Sequence, residues 1–110
     1  MVTIEEGTVV MANAVVNSYS KIGKHCILNT SCVIEHDNEI KDYVHISPNV
    51  TLCGGVVIKE KSWIGAGSSI KQGMIVGKNV VVGAGTVVIK DVENNVTAVG
   101  NPARIVKKIN

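Results

Sequence analysis

An aliphatic residue recurs at every sixth position from Ile4 to Val88 without a slip: Ile4, Val10, Val16, Ile22, Leu28, Ile34, Ile40, Ile46, Leu52, Ile58, Ile64, Ile70, Val76, Val82 and Val88. Four places after each of these fifteen residues stands Thr8, Ala14, Ser20, Cys26, Cys32, Asn38, Val44, Val50, Val56, Ser62, Ser68, Met74, Val80, Thr86 or Val92. All are small or apolar except Asn38. A helix cannot use this pattern, because residues six apart on a 3.6-residue period point to different faces. A short strand that sends alternate residues inward and then turns does fit it. Three places after the aliphatic residue, ten slots hold Gly, Asn or Asp: Gly7, Asn13, Asp37, Asn49, Gly55, Gly67, Gly73, Asn79, Gly85 and Asp91. These residue types tolerate positive φ, so this slot is expected to be a corner.

Composition agrees. The chain has 110 residues, no Phe, one Trp and two Tyr, so its core must be aliphatic, as a stack of small identical layers requires. A formal charge of +2, scattered along the chain, does not suggest a nucleic-acid or membrane partner. With no long apolar run, neither a signal peptide nor a membrane span is expected, and a cytoplasmic location follows as an expectation. Cys26, Cys32 and Cys53 are odd in number and lack CxxC spacing. Free thiols are the economical reading, with Cys26 and Cys32 packed in inward slots.

The repeat resembles that of the hexapeptide acyltransferases, whose fold is a left-handed parallel β-helix, and the resemblance covers residues 4 to 93. It implies an all-β chain of about five triangular coils, three hexads and eighteen residues to a coil. The expected organisation is a β-helix over residues 1–93 and a tail over residues 94–110 that caps it. Residues eighteen apart then stack. Ser18, His36, Gly54, Gln72 and Lys90 form one column along a corner, and Val9, Ile27, His45, Trp63 and Val81 form another on an outward strand position.

On this map His36 sits at a corner with Gly54 stacked against it. Histidine is the usual general base near neutral pH, and the glycine leaves room beside the imidazole and an approachable backbone N–H. Asp37 is the nearest carboxylate to orient the ring, but it also fills the corner slot, so a turn role and an acid role both stand. Asn38, a polar amide in an inward slot, must find buried partners, either in support of the site or in local bonding at the corner. His25, His36 and His45 occupy different hexad positions, so a shared metal is not expected within one chain, although γ-type carbonic anhydrases build zinc sites on this fold.

The strings Leu28-Asn29-Thr30, Ile34-Glu35-His36-Asp37, Tyr43-Val44-His45-Ile46-Ser47-Pro48 and Leu52-Cys53-Gly54-Gly55 are similar to the sialic-acid O-acetyltransferase and UDP-4-amino-sugar N-acetyltransferase group, the NeuD/PglD kind. That resemblance implies His36 as catalytic base, Asp37 as its acid partner and the N–H of Gly54 as oxyanion donor. Asn29 and His45 would line the acceptor site. His45, Ala66 and Ala84 would contact coenzyme A, the alanines from two stacked Gly-Ala-Gly triplets. The tail segment Gly100-Asn101-Pro102-Ala103-Arg104 resembles a common ending of these enzymes, and Arg104 would meet the phosphates of coenzyme A.

The implied activity is transfer of an acetyl group from acetyl-CoA, without a metal, to an amine or hydroxyl of a sugar or nucleotide-sugar, in a homotrimer with sites between subunits. The group's small α/β nucleotide-sugar domain is not expected here, since no βαβ pattern or glycine-rich loop precedes Ile4. Two alternatives are a shortened trimeric assembly module with little activity and a γ-carbonic-anhydrase-like zinc protein.

Overall fold

The structure is a computed structural model and describes residues 1–109. Fifteen two-residue strands follow one another at six-residue intervals and lie on three faces. Sheet A stacks β1 (Thr3–Ile4), β4 (Lys21–Ile22), β7 (Glu39–Ile40), β10 (Val57–Ile58) and β13 (Ile75–Val76). Sheet B stacks β2 (Val9–Val10), β5 (Ile27–Leu28), β8 (His45–Ile46), β11 (Trp63–Ile64) and β14 (Val81–Val82). Sheet C stacks β3 (Val15–Val16), β6 (Val33–Ile34), β9 (Thr51–Leu52), β12 (Ser69–Ile70) and β15 (Val87–Val88). Every pairing among these strands is parallel and joins residues eighteen apart, such as Ile27 with His45 and His45 with Trp63. The fold is therefore a parallel β-helix of five coils, consistent with the expected left-handed one, a prism within an envelope of 35 × 24 × 22 Å.

The corner rule holds more widely than the residue types indicated. All fourteen slots from Gly7 to Gly85 have positive φ, between 53° and 74°, including Tyr19, His25, Ser31, Tyr43 and Lys61. Each non-glycine there costs about 1 kcal/mol or more. A regular bond offsets it: the corner N–H donates to a corner carbonyl of the preceding coil, as in Asp37 to Ser18 (3.0 Å) and Gly55 to His36 (3.0 Å).

The aliphatic series forms the core from Ile22 onward. Ile4 and Val10 depart from the expectation; each is 43 % exposed, because an inward side chain is covered only when coils lie on both sides of it. The repeat also ends in a specific way. Val81 and Val82 pair with Thr97 and Ala98, an offset of sixteen, so the next turn is two residues short. That shortening is why Asp91 lacks the positive φ expected of it, while Asn95 takes up the corner conformation. Strand β16 (Val96–Val99) extends sheet B, and β17 (Arg104–Lys108) pairs with it antiparallel after a turn containing the cis bond Asn101–Pro102. Val96 and Ala98 are buried at this end of the core, with Ala103 packed against it.

Where the inward slot before a strand holds a serine it has a second duty, and that duty explains Asn38. Ser62 donates to the Gly77 carbonyl (2.6 Å) and accepts from the Val80 N–H (2.9 Å); Ser68 does the same with Gly83 and Thr86. Asn38, fully buried, repeats the pattern with a longer arm. Its Oδ1 accepts from the Val56 N–H (3.0 Å), and its Nδ2 donates to the carbonyls of Cys53 (3.1 Å) and Glu35 (2.6 Å). The exception in the sequence is thus a peg between coils. It also ties the corner bearing His36 to the segment bearing Gly54.

Removing this peg leaves the Val56 N–H and the Cys53 carbonyl without partners in a dry layer, while the Glu35 carbonyl keeps the Ser20 hydroxyl (2.8 Å), so Asn38→Ala should lower the unfolding free energy by about 2–4 kcal/mol, measured by urea denaturation against Ser68→Ala as a milder reference. Cys26 and Cys32 are buried, and burial raises both thiols, Cys32 to about 11. A colorimetric disulfide reagent at neutral pH should therefore modify Cys53 in the native protein, and all three cysteines only in denaturant.

Candidate active site

His36 and Asp37 occupy the corner between sheets C and A. The repeat gives that corner two outward residues, and the positive φ of Asp37 (59°) turns its carboxylate back to the preceding side chain. Asp37 Oδ2 lies 2.9 Å from His36 Nδ1, with the two side chains 61 % and 65 % exposed. With the carboxylate accepting from Nδ1–H, the lone pair of the neutral ring is on Nε2.

Gly54 is stacked on this imidazole. A Cβ built on Gly54 would lie 2.6 Å from both Cε1 and Nε2 of His36, so space rather than backbone conformation demands glycine here. The Gly54 N–H meets no hydrogen-bond acceptor among the described residues. The same holds for the equivalent amides of Ser18, His36 and Gln72; what sets Gly54 apart is the imidazole against it. The corner therefore presents a base and an open backbone donor side by side, the pair that acyl transfer through a tetrahedral intermediate uses.

A second group lies on the outward face of sheet B. His45 on β8 stacks on Trp63 of β11, with ring centroids 4.8 Å apart and planes inclined by 21°. Trp63 Nε1–H donates to the hydroxyl of Ser47 (2.9 Å), and Asn29 Nδ2 lies 3.4 Å from His45 Nε2. Burial holds the His45 imidazole below the ordinary histidine pKa. The sequence singled out Asn29 and His45 but gave Trp63 and Ser47 no role. The readable signal was the eighteen-residue offset from His45 to Trp63.

Ala66 and Ala84 stack at the corner between sheets B and C, joined by the Gly85 N–H to the Ala66 carbonyl (2.8 Å), and both are exposed. Arg104 is exposed on β17 at the end of sheet B. In a triangular prism the corner between C and A is opposite sheet B. One chain thus unites His36, Asp37 and Gly54, and separately unites Asn29, His45 and Trp63, but keeps the two groups on opposite sides. His25 is at the corner between A and B, stacked on Tyr43, so the three histidines lie on three different parts of the prism. Among the described residues, no three His, Cys, Asp or Glu side chains cluster as metal ligands.

Trp63 is the only tryptophan, so its emission reports on His45. Burial alone accounts for the His45 shift, and the ring's hydrogen-bonding and stacking neighbours are Asn29 and Trp63. On acidification the emission should be quenched with a midpoint below the ordinary value of about 6.5. His45→Gln should remove the titration. Because folding depresses this pKa, the unfolded chain binds the proton first, and stability should decline as pH falls from about 6.5.

The same arrangement of coils exists in known proteins. A family profile described as the bacterial transferase hexapeptide, six repeats, matches residues 55–90. The acetyltransferase domain of PglB from Neisseria gonorrhoeae FA1090, solved with acetyl coenzyme A, is 40 % identical with a TM-score of 0.95, over 96 % of this chain and 51 % of that one. Perosamine N-acetyltransferase from Caulobacter crescentus, solved as a histidine-to-asparagine mutant with CoA and GDP-perosamine, is 30 % identical with a TM-score of 0.87, over 97 % of this chain and 54 % of that one. Among proteins compared by sequence, GDP-perosamine N-acetyltransferase of Escherichia coli O157:H7 is 34 % identical, over 96 % of this chain and 50 % of its own length. The chain spans about half the length of each of these three relatives. Its unbroken hexads, its stacked coils and these matches make it a member of the hexapeptide-repeat transferase family, close to the acetyltransferase domains of the PglB and perosamine N-acetyltransferase kind.

Proposed function

We propose that this chain moves an acetyl group from acetyl-CoA to an amine or hydroxyl of a sugar or nucleotide-sugar. The observation that carries the reading is the His36–Asp37 pair stacked on the open amide of Gly54. Likeness to relatives solved with acetyl coenzyme A, and with CoA and GDP-perosamine, supports the choice of donor and acceptor class.

In this mechanism His36 Nε2 takes the proton from the acceptor nitrogen or oxygen as it attacks the thioester carbonyl. Asp37 holds the ring through Nδ1–H and stabilises the imidazolium that forms. The N–H of Gly54 donates to the oxyanion of the tetrahedral intermediate. Collapse breaks the C–S bond, and the imidazolium returns the proton to the departing sulfur. No covalent enzyme intermediate is required.

The site would be completed by a second copy of the chain. Asn29 and His45 are too far around the prism to serve His36 of their own chain, and Val9, Ile27, Trp63 and Val81 leave exposed apolar surface on sheet B. A homotrimer would close a ring of such contacts and bring sheet B of one copy to the His36 corner of the next. Ala66 and Ala84 would give the pantetheine arm a smooth wall, and Arg104 would meet the phosphates.

His36→Ala should reduce acetyl transfer by at least about 10²-fold, with trimer mass by light scattering and acetyl-CoA binding by calorimetry both retained. GDP-perosamine, UDP-4-amino-sugars and sialic acid are the first acceptors to assay. Retained turnover in the variant would overturn the assignment. Gly54→Ala, whose methyl must displace the imidazole, should lose turnover without losing the trimer.

A further inference from the structure

The contacts of His45 fix more than its position. Asn29 Oδ1 accepts from the backbone N–H of Thr30 (2.7 Å), and a backbone N–H only donates. The amide oxygen is therefore committed to Thr30, and the group facing His45 Nε2 at 3.4 Å must be the amide nitrogen. That nitrogen also only donates, so Nε2 must carry the lone pair and the ring proton belongs on Nδ1. Nδ1 has no partner among the described residues, while no buried side-chain nitrogen or oxygen lacks one; Nδ1 is thus open to solvent. The ring cannot turn freely to exchange these roles. Trp63 covers one face at 4.8 Å and is itself held through Ser47.

We infer that Asn29 and Trp63 are positioning residues that hold His45 as a neutral imidazole protonated on Nδ1, presenting one fixed N–H donor from sheet B to a carbonyl-type oxygen. Only the choice of ligand, a thioester or amide oxygen of acetyl-CoA, rests on the proposed acetyl transfer. The division of labour between the two histidines then follows from their partners. Asp37 accepts from Nδ1–H of His36 and leaves Nε2 as a base; Asn29 donates to Nε2 of His45 and leaves Nδ1–H as a donor. The two rings expose opposite functions.

Long-range ¹H–¹⁵N correlation spectra of the ligand-free, uniformly ¹⁵N-labelled protein at pH 7.5 test this directly, with the His45 signals identified by their loss in His45→Gln. The expected pattern is a protonated Nδ1 and an unprotonated Nε2; an Nε2–H pattern, or the averaged pattern of a freely exchanging ring, overturns the inference. Asn29→Asp replaces the donor with an acceptor and should switch the ring to Nε2–H. Trp63→Phe should keep the Nδ1–H pattern, and Trp63→Ala should move it toward averaging. A switched ring offers no donor, so Asn29→Asp should also weaken acetyl-CoA binding about tenfold by calorimetry. If the spectra are as expected and the wild-type protein does not bind acetyl-CoA, the proposed acetyl transfer fails while the tautomer assignment stands. If acetyl-CoA binds equally well to wild type and Asn29→Asp, the donor role is wrong.

Discussion

At every corner from His25 to Gly85 a residue held at positive φ donates its backbone N–H to the carbonyl nineteen positions earlier, and this bond sets the period of the molecule. Strands of two residues make too few ladder bonds to fix a register alone. The corner bond removes the ambiguity, because a slip of one residue would break it at every corner at once. It also accounts for tyrosine, histidine and lysine in a conformation that usually selects glycine or asparagine. Where a coil shortens to sixteen residues the pattern moves with it, from Asp91 to Asn95.

The same register builds the candidate site. A corner has room for two outward side chains, and the positive φ of the second turns it toward the first; His36 and Asp37 are that pair. The coil spacing delivers Gly54 against the imidazole, and Asn38 pegs the two coils together from inside. On sheet B the same spacing stacks Trp63 on His45. Each of the two groups is thus assembled from residues about one coil apart, and neither needs a loop or a helix to position it.

Much of this was legible in one dimension. The unbroken series from Ile4 to Val88 gave the fold, and the eighteen-residue coil gave the stacking of His36 on Gly54. Asn38 was legible as an anomaly and open in meaning, since a buried amide must bond but its partners belong to neighbouring coils. Trp63 was legible only through its eighteen-residue offset from His45, and nothing in the sequence paired Ser47 with it. The exposure of Ile4 and Val10 was not legible either, because burial depends on what lies along the prism axis and not on a residue's place in its hexad.

The sequence by itself determined the coil and the columns, because period and side-chain direction are local properties of strands and turns. It also put a histidine, an acid and a glycine in register. The tertiary structure decided what those columns mean around the prism: His36 and His45 lie on opposite sides of one chain, for three faces closing into a triangle is a global property. It also decided which nitrogen of each imidazole is engaged, since Asp37 and Asn29 approach their rings with opposite hydrogen-bonding character. A hexad pattern records neither, because distance across the prism and the direction of a side-chain amide exist only once the coils have closed.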